Sequence, residues 1–149
     1  MNSTITNSIA AVLREGVART EKARKIADFI RNLRGYRWVG VYDVGPELVS
    51  IIAFSGPGAP AYPQFPITQG LTAAAIRGKG TIVVGDVQDD PRYLTAFGST
   101  RSEIIIPVLD EKTSAVVGTI DVESEQANAF SEEDQSTLED CARAARPLW

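Results

Sequence analysis

The segment RSEIIIPVLDEKTSAVVGTIDVES, residues 101–124, decides the fold of this 149-residue chain. Two apolar runs, 103–109 and 115–123, flank the polar connection DEKTS at 110–114. Short runs that are rich in β-branched residues and are separated by a brief polar turn are typical of a β-hairpin. The segment therefore predicts two antiparallel strands, with any polar side chain inside a run assigned to one face of the sheet.

Three acidic side chains share one face of this predicted hairpin. Asp121 and Glu123 are two residues apart on the second strand, so their side chains point to the same side. Glu103 begins the first strand, and the turn brings it beside the end of the second. Acids so close raise one another's pKa and favour a bound cation, such as a ligand amine. The alternative interpretation is an acidic strand end that water solvates.

Upstream of the hairpin, the sequence predicts a second pair of strands that carries two large aromatic residues. Alternation over 36–43, a turn at 44–47 and an apolar run over 48–54 predict this pair. Trp38 and Tyr42 fall on the same face of its first strand. They can form the apolar wall of a pocket opposite the acids, or they can belong to an ordinary core.

The middle of the chain predicts loops around two short elements. Residues 55–66 contain four prolines and two glycines, which favours an irregular surface loop. Thr68 is a candidate N-cap for a short helix that reaches about Arg77, and 81–84 is typical of a short buried strand. The polar, turn-rich stretch 85–100 favours a mobile loop.

Helices are predicted at both ends of the chain. Residues 3–34 show helical spacing of apolar residues, as one bent helix or as two. Ser131 is a candidate N-cap for a last helix, which Pro147 ends. The predicted order indicates an α+β fold, with an antiparallel sheet of about five to six strands flanked by terminal helices. We expect one domain over 1–149, with helical residues 1–34, sheet and pocket loops 36–124, and a C-terminal helix 131–148.

Composition excludes several function classes. The chain has no histidine and one cysteine, so His-based catalytic triads, His-ligated haem, His-ligated zinc and internal disulfides are excluded. Cys141 lies on the apolar face of the last predicted helix, which favours a buried, inert thiol. The net charge of −4 disfavours nucleic-acid binding. With no signal peptide or membrane segment predicted, we expect a cytoplasmic protein without membrane partner, cofactor or metal.

Six segments of the chain resemble a GAF domain. They are WVGVY at 38–42, FPITQGLTAAA at 65–75, GDV at 85–87, RSEIIIPV at 101–108, VVGTIDVES at 116–124 and FSEEDQ at 130–135. More specifically, the segments resemble the single-domain GAF enzymes that reduce free methionine-(R)-sulfoxide. It implies a GAF/PAS-like fold and a pocket in which acids hold an amino group beside a Trp and a Tyr. Those roles fall on Trp38, Tyr42, Glu103, Asp121 and Glu123.

The chain departs from these reductases at their cysteines. The positions that the resemblance assigns to cysteines hold Tyr62, Thr72 and Ala96. A hydroxyl or a methyl group cannot attack a sulfoxide sulfur and then be regenerated through a disulfide. We therefore predict a non-enzymatic, sensor-like binding module for an amine-bearing ligand such as a free amino acid. The alternative is a reductase-like oxidoreductase. The predicted ligand-binding residues are Trp38, Tyr42, Tyr62, Thr72, Ala96, Glu103, Asp121 and Glu123.

The terminal helices also predict a homodimer. The first helix carries an apolar stripe that is wider than contact with one sheet requires. GAF domains resemble one another in pairing through terminal helices, so we expect a two-fold interface near both helices. The alternative is a helix that folds wholly onto its own domain. The residues concerned are Ile5, Ile9, Val12 and Leu13, together with Leu138, Cys141 and Ala145.

Overall fold

A six-stranded antiparallel sheet, in the order β3-β2-β1-β6-β5-β4, forms the centre of the molecule. The structure is a computed structural model and describes residues 2–149. Its strands are β1 Trp38–Val44, β2 Leu48–Ser55, β3 Gln64–Pro66, β4 Ile82–Val84, β5 Ser102–Leu109 and β6 Val116–Ser124. Its helices are α1 Ser3–Leu13, α2 Arg19–Arg34, α3 Gly70–Gly78 and α4 Glu132–Ala145, with 3₁₀ turns at Val87–Asp89 and Arg146–Leu148. The predicted α+β class and strand number are confirmed.

The main apolar core lies between one face of the sheet and helices α1, α2 and α4. Alternate residues of the central strands, such as Val39, Ile104 and Ile120, point into this core and are fully buried. Period-2 alternation thus assigns each strand an apolar face toward the helices. The opposite face, covered by α3 and by loops, receives the remaining side chains of the same strands. Within residues 2–149, no helix is both long and apolar enough to cross a bilayer.

The N-terminal segment forms two helices rather than one bent helix, which were the two predicted alternatives. Helix α1 ends at Leu13, and α2 begins at Arg19. Gly35 then ends α2 in the left-handed conformation, with φ +70°, where glycine is the favoured residue. At the other end of the chain, Ser131 caps α4 in a capping box with Asp134, as its position predicts.

The side chains that motivated the predicted homodimer pack inside their own chain. Ile5 and Ile9 of α1 belong to the main core, and Val12 and Leu13 pack against it. On α4, Leu138, Cys141 and Ala145 are fully buried in the same core. The apolar stripe of α1 is therefore covered by its own domain. The homodimer stays a prediction that must rest on other surfaces.

Four local predictions differ from the structure. The strand predicted as buried over 81–84 is the edge strand β4, and its Val83 is 43% exposed. The first strand begins at Trp38 rather than at residue 36, and the proline-rich loop contains the three-residue strand β3, which pairs with β2. Thr68 does not cap α3. It lies in a turn closed by the Gln69 N–H, which donates to the Pro66 carbonyl at 3.1 Å, and the helix begins only at Gly70. Gly70, the first residue of the helix, has φ +77°, a conformation that favours glycine.

Candidate functional site

Glu103, Asp121 and Glu123 meet on the sheet face that is turned away from the core helices. The β5–β6 register pairs Glu103 directly with Glu123, and Asp121 lies two residues from Glu123 on the same strand face. One carboxylate oxygen from each residue lies within 4.8 Å of the others. The clustering expected from the hairpin pattern is therefore present in the structure.

These three carboxylates are buried rather than solvated. The exposed fractions are 5% for Glu103, 7% for Asp121 and 2% for Glu123. Within residues 2–149, four buried side-chain oxygens lack a hydrogen-bond partner: Glu103 Oε2, Asp121 Oδ1 and Glu123 Oε2 at this site, and Thr119 Oγ1 further along β6. Buried polar atoms are nearly always paired, so three unpartnered carboxylate oxygens in one place indicate a missing partner. The interpretation as a solvated strand end does not fit this burial.

Burial controls the protonation of the cluster. It raises the pKa of Glu103 well above its usual value, and the nearby Asp121 and Glu123 charges raise it further. Burial also raises the pKa of Asp121, with the Glu123 charge adding to the effect. For Glu123, burial raises the pKa, and hydrogen bonding from Thr100 and from Tyr93 opposes part of this rise. The Tyr93 hydroxyl donates to Glu123 Oε1 at 2.9 Å. An approaching cation would favour the charged forms of all three acids.

Aromatic and small side chains wall a cavity over the acids. The lining residues are Tyr42, Tyr62, Phe65, Gly70, Leu71, Thr72, Tyr93, Leu94 and Ala96, together with the three acids. None of these lining residues carries a positive charge. Tyr62, Thr72 and Ala96, which the family resemblance assigns to cysteine positions, thus converge on one cavity although they come from three separate segments. The cavity therefore combines an acidic floor with an apolar wall.

Trp38 lies behind this wall rather than in it. Its ring packs against Phe54 and Phe97, and its Nε1 donates to the Gly58 carbonyl at 3.0 Å. It borders a smaller apolar cavity on the other side of Glu123. Gly40 separates Trp38 from Tyr42 on the strand face, and a Cβ there would lie 2.8 Å from the Tyr42 ring. Only glycine lets these two aromatic rings pack so closely across β1.

Two loops close the cavity. The Ala61 N–H of the proline-rich loop donates to the Ala96 carbonyl of the 85–100 loop at 3.1 Å. Tyr93, on the same loop as Ala96, is held to the acidic floor by its bond to Glu123. The remaining cavity volume is about 30 Å³. Water and single ions fit this volume, whereas a larger ligand requires the loops to separate.

Five lining residues were not predicted from the sequence: Phe65, Gly70, Leu71, Tyr93 and Leu94. Tyr93 lies in an irregular loop where no periodicity assigns a face, so its aromatic character within a polar stretch is the only signal. Phe65 lies on the unpredicted strand β3 and packs edge-on against Tyr42, with 6.1 Å between ring centroids. These positions depend on which loops meet over the sheet.

Cys141 lies on the other side of the sheet. Its thiol is buried in the helix-side core, and this burial raises its pKa to about 12. A thiol that stays protonated is a poor nucleophile, and Cys141 does not line the acidic cavity. The structure therefore agrees with the prediction of an inert thiol.

Comparisons with known proteins give a consistent picture. The family described as "GAF domain" matches residues 18–146. GAF domain-containing protein A of Dictyostelium discoideum is 31% identical over 68% of this chain and 62% of its own length. Free methionine-R-sulfoxide reductase of Saccharomyces cerevisiae is 29% identical over 71% of this chain and 59% of its own length. This chain thus spans about three fifths of the curated relatives that it matches.

A solved structure extends the similarity to the whole fold. The type II free methionine-R-sulfoxide reductase from Thermoplasma acidophilum superposes with a TM-score of 0.78 and 30% sequence identity. The match covers 88% of this chain and 94% of that chain. The similarity in fold and sequence therefore extends over most of both chains.

Proposed function

The chain belongs to the GAF domain family, a small-molecule-binding fold, and from this premise we propose that it is a non-enzymatic, sensor-like binding module. Its ligand is a small molecule that carries an ammonium group. The ammonium binds Glu103, Asp121 and Glu123, and the aromatic wall covers the rest of the ligand. The observation that carries the proposal is the set of buried carboxylate oxygens without partners.

Charge compensation of the three buried acids supports this proposal. A buried carboxylate is unfavourable unless it is protonated, hydrogen-bonded or paired with a cation. Because no lining residue supplies a positive charge, the compensation must come from protons or from a bound cation. An ammonium group supplies one positive charge and three N–H donors, which matches three acceptor groups that converge on one point. Charge-assisted hydrogen bonds of this kind are among the stronger polar contacts in proteins.

The N-terminus of α3 supports an amino acid as the ligand class. Gly70, Leu71 and Thr72 of its first turn line the same cavity as the acids. Gln69, at the N-cap position, makes no side-chain capping bond. Free N–H groups and the helix dipole favour an anion at such an end. A ligand with both an ammonium and a carboxylate would use both ends of the cavity, as expected from similarity to enzymes of free methionine-R-sulfoxide.

Ligand entry requires the two covering loops to open. The two loops meet at the Ala61–Ala96 backbone bond, and Tyr93 anchors the 85–100 loop to Glu123, so opening must break these contacts over the cavity. Surface loops open at a lower free-energy cost than core strands do. We propose that a bound ligand either replaces Tyr93 as the partner of Glu123 or is covered by Tyr93 and its loop. In both cases, occupancy of the cavity changes the conformation of the 85–100 loop.

Reductase chemistry is the second candidate, because two of the compared proteins are such enzymes. The residues that line the cavity argue against it. Tyr62, Thr72 and Ala96 contribute a phenol, an alcohol and a methyl group, and none of these replaces a thiolate nucleophile. A non-enzymatic binding module therefore explains why the cavity has the acids and lacks the thiols.

A paired thermal-shift screen tests the proposal. Each amine, including L-methionine-(R)-sulfoxide, is compared with an analogue that has a hydroxyl or hydrogen in place of the amino group. Binding to the folded state raises the melting temperature, so the amines should stabilise the protein and the analogues should not. Glu103→Gln should lessen the shift, whereas Glu111→Gln, an exposed turn residue, should leave it unchanged. Stabilisation by anions alone would contradict the proposal.

A further inference from the structure

The unpartnered carboxylate oxygens of the site form a donor set of a specific chemical kind. Glu103, Asp121 and Glu123 each contribute one such oxygen. Oxygen donors without nitrogen or sulfur are the ligands of hard divalent cations such as Ca²⁺ and Mg²⁺. All three acids are more than nine-tenths buried. From these observations we infer that the closed site binds a divalent cation of the size of Ca²⁺.

The spacing of the oxygens is compatible with one shared ion. One oxygen each from Glu103, Asp121 and Glu123 lies within 4.8 Å of the others. Oxygens that share one Ca²⁺ can lie up to about 5 Å apart, on opposite sides of the ion. Ca²⁺ also accepts an irregular set of about six to eight oxygen ligands, whereas Mg²⁺ demands a near-ideal octahedron and usually keeps several waters. A buried set of protein carboxylates therefore favours Ca²⁺ over Mg²⁺.

Cavity size and charge also favour an ion in the closed state. The closed cavity has a volume of about 30 Å³, enough for an ion and not for an amino acid. A divalent cation compensates two of the three carboxylates, whereas one ammonium compensates a single charge. The inference goes beyond the proposed function and does not depend on it: the closed loops hold the ion, the open loops admit the amine, and both compete for the same oxygens. It replaces the expectation of no metal, which rested on the absence of histidine and of paired thiols.

Calorimetric titration of the full chain, first stripped with chelator, tests this inference. CaCl₂ should bind with one-to-one stoichiometry and raise the melting temperature, and MgCl₂ should bind at least about tenfold more weakly. Asp121→Asn and Glu103→Gln should each weaken calcium binding by at least about tenfold. The matched control Glu111→Gln removes one exposed charge outside the site and should bind calcium as the wild type does.

The outcomes separate this inference from the proposed function. Calcium binding that is equal in wild type and Asp121→Asn, or no binding at all, overturns the inference. If the amines of the paired screen bind and calcium does not, the proposed function stands alone. If calcium binds and no amine does, the ion site stands and the proposed function fails. If both bind, calcium should raise the apparent Kd of the amine, and independent binding would contradict a shared site.

Discussion

Asp121 is the residue at which binding and stability are expected to conflict. Its buried carboxylate has a raised pKa, so the folded state holds protons that the unfolded chain releases above about pH 4. Because the folded-state pKa values are raised, the contribution of these groups to the free energy of unfolding is fully present below that pH. It is lost as the pH rises through the folded-state pKa. At neutral pH, the cluster therefore destabilises the protein unless a cation binds.

We predict that Asp121→Asn stabilises the ligand-free protein at neutral pH by about 1 kcal/mol or more, because it removes one charge from the buried cluster. The same change should weaken amine binding. Urea unfolding measured at several pH values checks this, and the stability of the variant should fall less steeply with rising pH than that of the wild type. Glu111→Gln should follow the wild-type profile. A variant that is less stable at neutral pH would show that the carboxylate makes compensating contacts.

At the scale of elements, regular hairpins were predictable and irregular connections were not. The run 101–124 predicts β5 and β6 within a residue, because apolar alternation assigns both the strands and their faces. Strand β3 was missed because it has only three residues within a proline-rich stretch. Helix α3 begins at Gly70, which has a positive φ. The candidate N-cap Thr68 gave no indication of this conformation. Half of the cavity wall comes from such loops, so the acids were predictable and Tyr93 was not.

Helix α4 offers a direct test of local capping. The Ser131 hydroxyl oxygen accepts a hydrogen bond from the Asp134 N–H at 3.1 Å, and the Ser131 N–H donates one to the Asp134 carboxylate at 2.8 Å. We predict that Ser131→Ala lowers the free energy of unfolding by about 0.5 to 2 kcal/mol. Ser136→Ala, an exposed interior position of the same helix, should change it little. Denaturant unfolding measures both, and equal effects would contradict the capping assignment.

At the scale of the whole molecule, the arrangement of thiols predicts catalytic silence. The one cysteine lies across the sheet from the acidic cavity, with its pKa raised to about 12 by burial. Purified protein with thioredoxin or dithiothreitol should therefore not consume free methionine sulfoxide above background. The assay follows substrate loss, with Cys141→Ser as the matched variant. Turnover that survives in Cys141→Ser would require a reductase route that uses no thiol.

The predicted homodimer is a separate property of the whole molecule. Since the apolar face of α1 packs within its own domain, deletion of residues 1–14 should expose core rather than remove an interface. We therefore expect a folded dimer to depend on exposed surfaces of the terminal helices. Light scattering of the full chain at micromolar concentration should give about twice 16.1 kDa. A mass near that of one chain would remove the dimer prediction and leave the fold and the site unchanged.

Three buried carboxylates without a cation partner are the basis of the proposed function, and counting the protons released on ligand binding tests whether a cation binds them. Calorimetric titration of L-methionine-(R)-sulfoxide in buffers with different ionisation enthalpies measures how many protons leave the protein. Acids with raised pKa values must release protons when an ammonium replaces them, so the binding enthalpy should depend on the buffer, and the released proton count should fall in Asp121→Asn. Binding without proton release, or binding that Asp121→Asn leaves intact, would contradict the account.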